Sequence, residues 1–196
     1  MWRLAMCAVL ALSAPAPAQT MGGVTLGEPV PEGLPEPLGT QVVAPYAITV
    51  WGAGDGILWM STTADAESGD VLYIEIWRDG SQGTQPAPIE GMSFGETTRN
   101  DLIERFGSEG IVFNQRGRFT VIDPDVAYFT SYEIEGSDAV VSFVTIQPLD
   151  DASVETASEA LLDAISLGDG AYLDRIWGIN RGILPGYERI ADPFAP

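Results

Sequence analysis

The chain has 196 residues, 28 of them Asp or Glu against nine Lys or Arg, for a formal charge of −19, and it contains no His and a single Cys. There is no Lys, so every cation is an Arg; these absences exclude a Ser-His-Asp or Cys-His nucleophile system, a Schiff-base lysine, a His or Cys zinc site and covalent haem attachment. The carboxylate surplus repels nucleic-acid phosphates and anionic lipid surfaces before contact, so no nucleic acid is expected as a partner. Asp79-Gly80-Ser81 and Gly54-Asp55-Gly56 do not supply the spacing of a calcium loop, so no metal is expected, and no cofactor is expected either.

Met1-Trp2-Arg3, an apolar run over 4–12 and Ser13-Ala14-Pro15-Ala16-Pro17-Ala18 are the three parts of a secretory signal. The expectation is a signal peptide over 1–18, cleaved after Ala18, and a periplasmic or secreted mature protein. The apolar run is too short to cross a bilayer as a helix, and no later stretch is longer. Cys7 lies inside the run, so a lipid anchor is not expected and the mature chain has no disulfide to rely on.

Next comes a self-similarity: Gly23-Val24-Thr25-Leu26-Gly27-Glu28 lines up with Gly91-Met92-Ser93-Phe94-Gly95-Glu96, and the register continues through Leu34 on Leu102, Glu36 on Glu104, Leu38 on Phe106 and Gly39 on Gly107. In the first copy Pro29, Pro31, Pro35 and Pro37 forbid a regular helix, leaving a single turn or an irregular arm. Strands are expected over 46–51, 57–63 and 71–77, split by turns at 52–56 and 68–70. A stretch rich in Gly, Pro, Ser and Gln connects the copies. In the second copy Thr98 caps a helix with Asp101 three residues on, Leu102, Ile103 and Phe106 form its apolar stripe, and Gly107 ends it. Strands follow over 111–114, 118–122, 126–134 and 139–146, with Asp123-Pro124-Asp125 as one of the turns. The spacing of Val154, Ala157, Leu161, Leu162 and Ile165 predicts an amphipathic helix over 153–167, and a shorter helix is expected over 171–177.

These elements make the expected fold class α+β: two tandem helix plus antiparallel-sheet repeats, followed by a C-terminal helical segment. The boundaries are a first half over 19–78, a connection over 79–90, a second half over 91–147 and the helical segment and tail over 148–196.

The Gly91 to Gly107 segment and its echo from Gly23 to Gly39 resemble the small outer-membrane assembly lipoproteins called SmpA/OmlA; the architecture is also similar to the β-lactamase inhibitor protein, two such halves in series. The resemblance implies a module that binds other proteins in the cell envelope. The lipidated Cys of the first and the disulfides of the second are missing, and no binding residue is carried over from either.

Strand alternation sets Leu72, Ile74 and Ile76 against Tyr73, Glu75 and Trp77, and Leu58 and Met60 against Trp59 and Ser61. With the aliphatic face as core, Trp51, Trp59, Tyr73 and Trp77 gather on the other side, as candidate binding residues of the kind protein interfaces use as anchors. The alternative is that the C-terminal helix or the partner half covers them. No catalytic residue is singled out: Asp123 with Asp125, and Glu133 with Glu135, have no signature beyond their spacing. The leading reading is an exported, non-enzymatic protein-binding or envelope-assembly accessory with an envelope protein as partner. The runner-up is a carboxylate-based hydrolase of cell-envelope material, and a third reading is a structural role with no discrete site.

Overall fold

The structure is a computed structural model that describes residues 18–53, 58–80 and 83–195. The expected signal peptide lies outside the described residues except for Ala18.

Runs rich in β-branched and aromatic residues, separated by turn residues, extend as strands and pair with their neighbours in the chain. The first run of strands is β1 (Gly39–Val43), β2 (Tyr46–Ala53), β3 (Leu58–Asp65) and β4 (Val71–Arg78). After the helix α1 (Arg99–Phe106) and a short strand β5 (Ile111–Phe113) come β6 (Phe119–Ile122), β7 (Asp125–Glu133), β8 (Ala139–Pro148) and β9 (Leu161–Asp169). The helix α2 (Gly170–Trp177) and the strand β10 (Arg181–Ile183) follow, β10 pairing with β5, and two two-residue ladders, Thr20–Met21 with Val24–Thr25 and Gln85–Pro86 with Ser93–Phe94, stand apart from these.

The order β6-β7-β8-β9-β4-β3-β2-β1 makes one antiparallel eight-stranded sheet. Each meander is built of neighbours, and the two join where β9 lies against β4, from Ala164 opposite Trp77 to Gly168 opposite Tyr73.

This overturns the expected fold class. The molecule is mostly β, with one continuous sheet in place of two helix-plus-sheet units, only two α-helices of eight residues each among the described residues, and no C-terminal helical segment. The expected helix over 153–167 is a short 3-10 turn at Ala157–Glu159 followed by β9. Leu161, Leu162 and Ile165 satisfy a helical spacing, but Ile165 and Leu167 also alternate with Ala164, Ser166 and Gly168. Two open strand edges, β8 and β4, give this segment hydrogen-bonding partners on both sides, and such tertiary pairing outweighs local periodicity.

The larger core lies on the first face of the sheet, where Trp51, Met60, Ile74, Ile76, Val141, Phe143, Ile165 and Leu167 meet Met21, Val24, Phe94, Leu102 and Ile190 from the segments laid across it. Gly27 donates its N–H to Val71 O (2.8 Å) and Gly95 donates to Leu162 O (2.8 Å), so the two glycine segments close the starting ends of β4 and β9. α1 forms as its sequence dictates. The Thr98 hydroxyl accepts from Asp101 N–H, Asp101 Oδ2 accepts from Thr98 N–H (2.7 Å), and Gly107 at φ 77° turns the chain away while donating to Ile103 O. On the second face a smaller cluster, Ile111, Phe113, Val140, Tyr172 and Leu173, sits under α2 and β5. Glycine is required at 110, which runs at φ 78° and would place a Cβ 2.1 Å from Ser131 O of β7.

Candidate functional site

The second face is built in cross-strand rows. Trp59, Trp77 and Ala164 form one row, Ser61, Glu75 and Ser166 the next, and Thr63, Tyr73 and Gly168 the third. The large side chains of β3 and β4 thus give way to three small ones on β9, while Phe129 on β7 and Val144 on β8 rise again beyond them. The small residues leave a trough between two walls.

Packing closes one end of this trough and leaves the other open. At the closed end Tyr73 meets the rings of Tyr172 and Trp177, each at 6.1 Å, and Leu173 lies 2.9 Å from where a Cβ on Gly168 would stand. At the other end Trp77 stacks on Trp59 with ring centroids 6.4 Å apart. A groove of about 350 Å³ opens here, lined by Glu75, Trp77, Arg116, Phe129, Val144 and Asp163, and bounded toward the sheet edge by Thr120 and Ile122.

Arg116 reaches into the groove from the turn after β5. Its guanidinium is held between the Trp177 ring at 3.7 Å and the Phe129 ring at 3.8 Å, and its Nη1 is buried without a hydrogen-bond partner. Burial pulls its pKa below the ordinary arginine value, against the opposing pull of Tyr73 and Glu75. Burial also pushes the Glu75 carboxyl above the usual range, with the Arg116 charge and the Tyr73 hydroxyl working the other way. Asp163 is raised by burial too, although Arg78 Nε donates to its Oδ1 at 3.3 Å. The groove therefore combines aromatic walls with a carboxyl and a guanidinium that are poorly solvated.

Of the sequence-predicted binding residues, Trp59, Tyr73 and Trp77 share this face, but only Trp59 and Trp77 lie at its open end. Trp51 does not belong with them. Its partner across β3 is Met60, and Trp59 faces Gly52, so Trp51 is buried in the core of the first face with its indole N–H donating to Pro35 O. Ile74 and Ile76 alternate with Tyr73, Glu75 and Trp77 as expected, but a register shift after Thr63 puts Val71 in the first-face core and Leu72 with the second-face cluster, and the register between β2 and β3 moves Trp51 to the other side. Of the two expected covers, the helix over 153–167 does not exist, while β5 from the second half, together with α2, covers the Tyr73 end.

The groove residues Arg116, Phe129 and Asp163 were not singled out by sequence. Phe129 was reachable, because alternation in β7 puts it with Ala127. Arg116 had no local signal, since the rings that hold it come from β7 and α2.

A second cleft of about 230 Å³, where Glu133, Asp138, Asp169 and Asp174 gather with Arg181 and Arg189, is an ion network. Arg181 holds Asp174 through two hydrogen bonds (2.7 and 2.6 Å) and also pairs with Glu133. Glu133 further accepts from Arg189 and from the Tyr187 hydroxyl, both at 3.1 Å. Asp169 caps α2 by accepting from Tyr172 N–H at 2.7 Å. Glu135 lies past the end of β7, and Asp123 and Asp125 flank the β6–β7 turn. Among the described residues no group of three or more His, Cys, Asp or Glu side chains is placed to hold a metal ion, and no helix is long and apolar enough to cross a membrane.

A scan against protein-family models, a search of the curated proteins and a search of the solved structures each return no match for this chain.

Proposed function

We propose that this protein is a non-enzymatic binding module of the cell envelope, and that its groove holds a segment of a protein partner. The observation that carries the reading is the open end of the second sheet face. There Trp77, with Trp59 stacked against it, and an arginine clamped between aromatic rings border a shallow, largely apolar trough beside acidic groups. Trp, Tyr and Arg in desolvated pockets dominate protein interfaces, and an acidic rim contributes specificity and on-rate. Export to the envelope rests on the N-terminal sequence. The carboxylate hydrolase is less well supported. It needs an acid and a base free to exchange protons, whereas Glu133, Asp169 and Asp174 in the acidic cleft are each engaged by arginine, tyrosine or a helix N–H.

The test is cross-linking capture from the envelope fraction of the native host, with the full chain tagged at its C-terminus. Wild type should recover a specific protein that a folded Trp59→Ala/Trp77→Ala variant loses, each truncation weakening binding by about 2 kcal/mol if the residue is an anchor. Equal recovery by both proteins would remove the groove from the interface.

A further inference from the structure

The groove does not end at a wall of side chains. It runs out to β6, the last strand of the sheet, which pairs with β7 on one side and, among the described residues, with no strand on the other. All four residues of β6 are exposed, Phe119 at 61 %, Val121 at 54 % and Ile122 at 49 %. Phe129 N–H donates to Arg118 O (2.9 Å), so by the alternation of an antiparallel ladder residues 118, 120 and 122 turn their backbone groups inward. The N–H and C=O of Phe119 and Val121 then point outward, away from β7, and meet no other strand among the described residues. Phe119-Thr120-Val121-Ile122 contains no Lys, Pro, Gly or charge, the devices by which exposed edges are ordinarily blunted.

We infer that the free edge of β6 is a strand-addition site, at which an extended segment of the partner pairs with Phe119 and Val121 and places basic residues against the turn that follows the strand. The inference rests on the protein-binding reading of the groove and specifies how the partner enters it. An added strand next to β6 would send alternate side chains over Thr120 and Ile122 into the groove, toward Trp77 and Asp163.

Charge selects the occupant. Asp123 and Asp125 flank the turn, and the 3-10 turn Leu149–Asp151 is held against it by Leu149 N–H donating to Pro124 O (2.8 Å), which adds Asp150 and Asp151. None of these four carboxylates forms an ion pair among the described residues, and Arg118 at the start of the strand is tied to Glu109. A second copy of this chain, at a formal charge of −19, would meet like charge on approach. A segment with Lys or Arg beside an alternating apolar stretch meets attraction at the turn and open hydrogen-bonding groups along the strand.

The experiment uses a fluorophore-labelled peptide, Lys-Arg-Lys-Val-Thr-Val-Thr-Val, against the full chain, with Glu-Asp-Glu-Val-Thr-Val-Thr-Val as its control. Binding is read by anisotropy and its location by amide exchange. The basic peptide should bind saturably, more than about tenfold tighter than the acidic one at low salt and less so at high salt, and should slow exchange of the Phe119 and Val121 amides. Val121→Pro removes one outward N–H and should cost about tenfold or more in affinity; Val121→Lys keeps that N–H but places a charge on the edge, and should do the same should the proline variant not fold. Asp150→Asn/Asp151→Asn should weaken the basic peptide and flatten its salt dependence.

No binding, or binding that leaves both amides unprotected and both Val121 variants unaffected, overturns the inference. If such binding is nevertheless lost in Trp77→Ala, the groove reading stands and strand addition alone falls. A concentration-dependent dimer in sedimentation that Val121→Pro abolishes would assign the edge to a second copy and overturn the basic partner.

Discussion

Glu75 sits where a carboxylate is poorly solvated, and its raised pKa is a statement about stability. Its folded-state value lies above the unfolded one, so the folded form holds the proton more tightly. As pH rises from the ordinary carboxylate value through the folded value, ionisation costs stability that is intact below that range. Glu75→Gln should therefore be more stable than wild type at neutral pH, and urea denaturation at a series of pH values should show the two curves converging in acid. Arg116 is the counterpart. Its planar guanidinium fills the gap between Phe129 and Trp177, a place a compact ammonium does not fit. Arg116→Lys should lose about 1 to 2 kcal/mol of stability in the same assay. Gly110→Ala belongs to another class: a side chain at φ 78° that would overlap Ser131 O should cost about 2 kcal/mol or more, seen as a lowered Tm.

At the scale of elements, the sequence was most readable where local chemistry is self-sufficient. Thr98, Asp101 and Gly107 define α1 within a few residues of one another, and Thr98→Ala should cost about 1 kcal/mol. The Asp101 carboxyl is held below the usual range first by the Thr98 hydroxyl and then by the Thr98 N–H. Its contribution is present above the unfolded value and fades as pH falls through the folded one, so Thr98→Ala should also reduce the acid sensitivity of unfolding. Most strands were legible from alternation and turns, Val71–Arg78 and Asp125–Glu133 to within a residue or so at each end. β9 was not, because Leu161-Leu162-Asp163-Ala164-Ile165 fits two periods and only β4 and β8, far away in the chain, decide between them. The candidate site divides the same way. Trp59 and Trp77 share a face because they alternate within their own strands, whereas the displacement of Trp51 and the clamp on Arg116 depend on register and on elements that no local window contains.

At the scale of the molecule, the two meanders share the core of the first face: Trp51 and Met60 from one belong to the same cluster as Phe143 and Tyr132 from the other. Their unfolding should therefore be a single event. Tryptophan fluorescence and far-ultraviolet circular dichroism should give coincident denaturant transitions, and two separated transitions would mean that each half holds together alone.

The seam between β4 and β9 also sets the order of events in folding. The hairpins on either side close over short stretches of chain, but at the seam Arg78 meets Asp163, 85 residues later. Loop closure over that span must be met before any seam contact rewards it, which makes the fold one of high contact order and slow collapse to the native sheet. Substitutions confined to a hairpin, such as the β2–β3 pair Trp51 and Met60, should then act mainly on the unfolding rate. Truncating Ile76 or Ile165, which face each other across the seam, should slow refolding as well if the seam is formed in the transition state. During synthesis the first meander leaves the ribosome with the β4 edge bare, and it stays bare until β9 arrives.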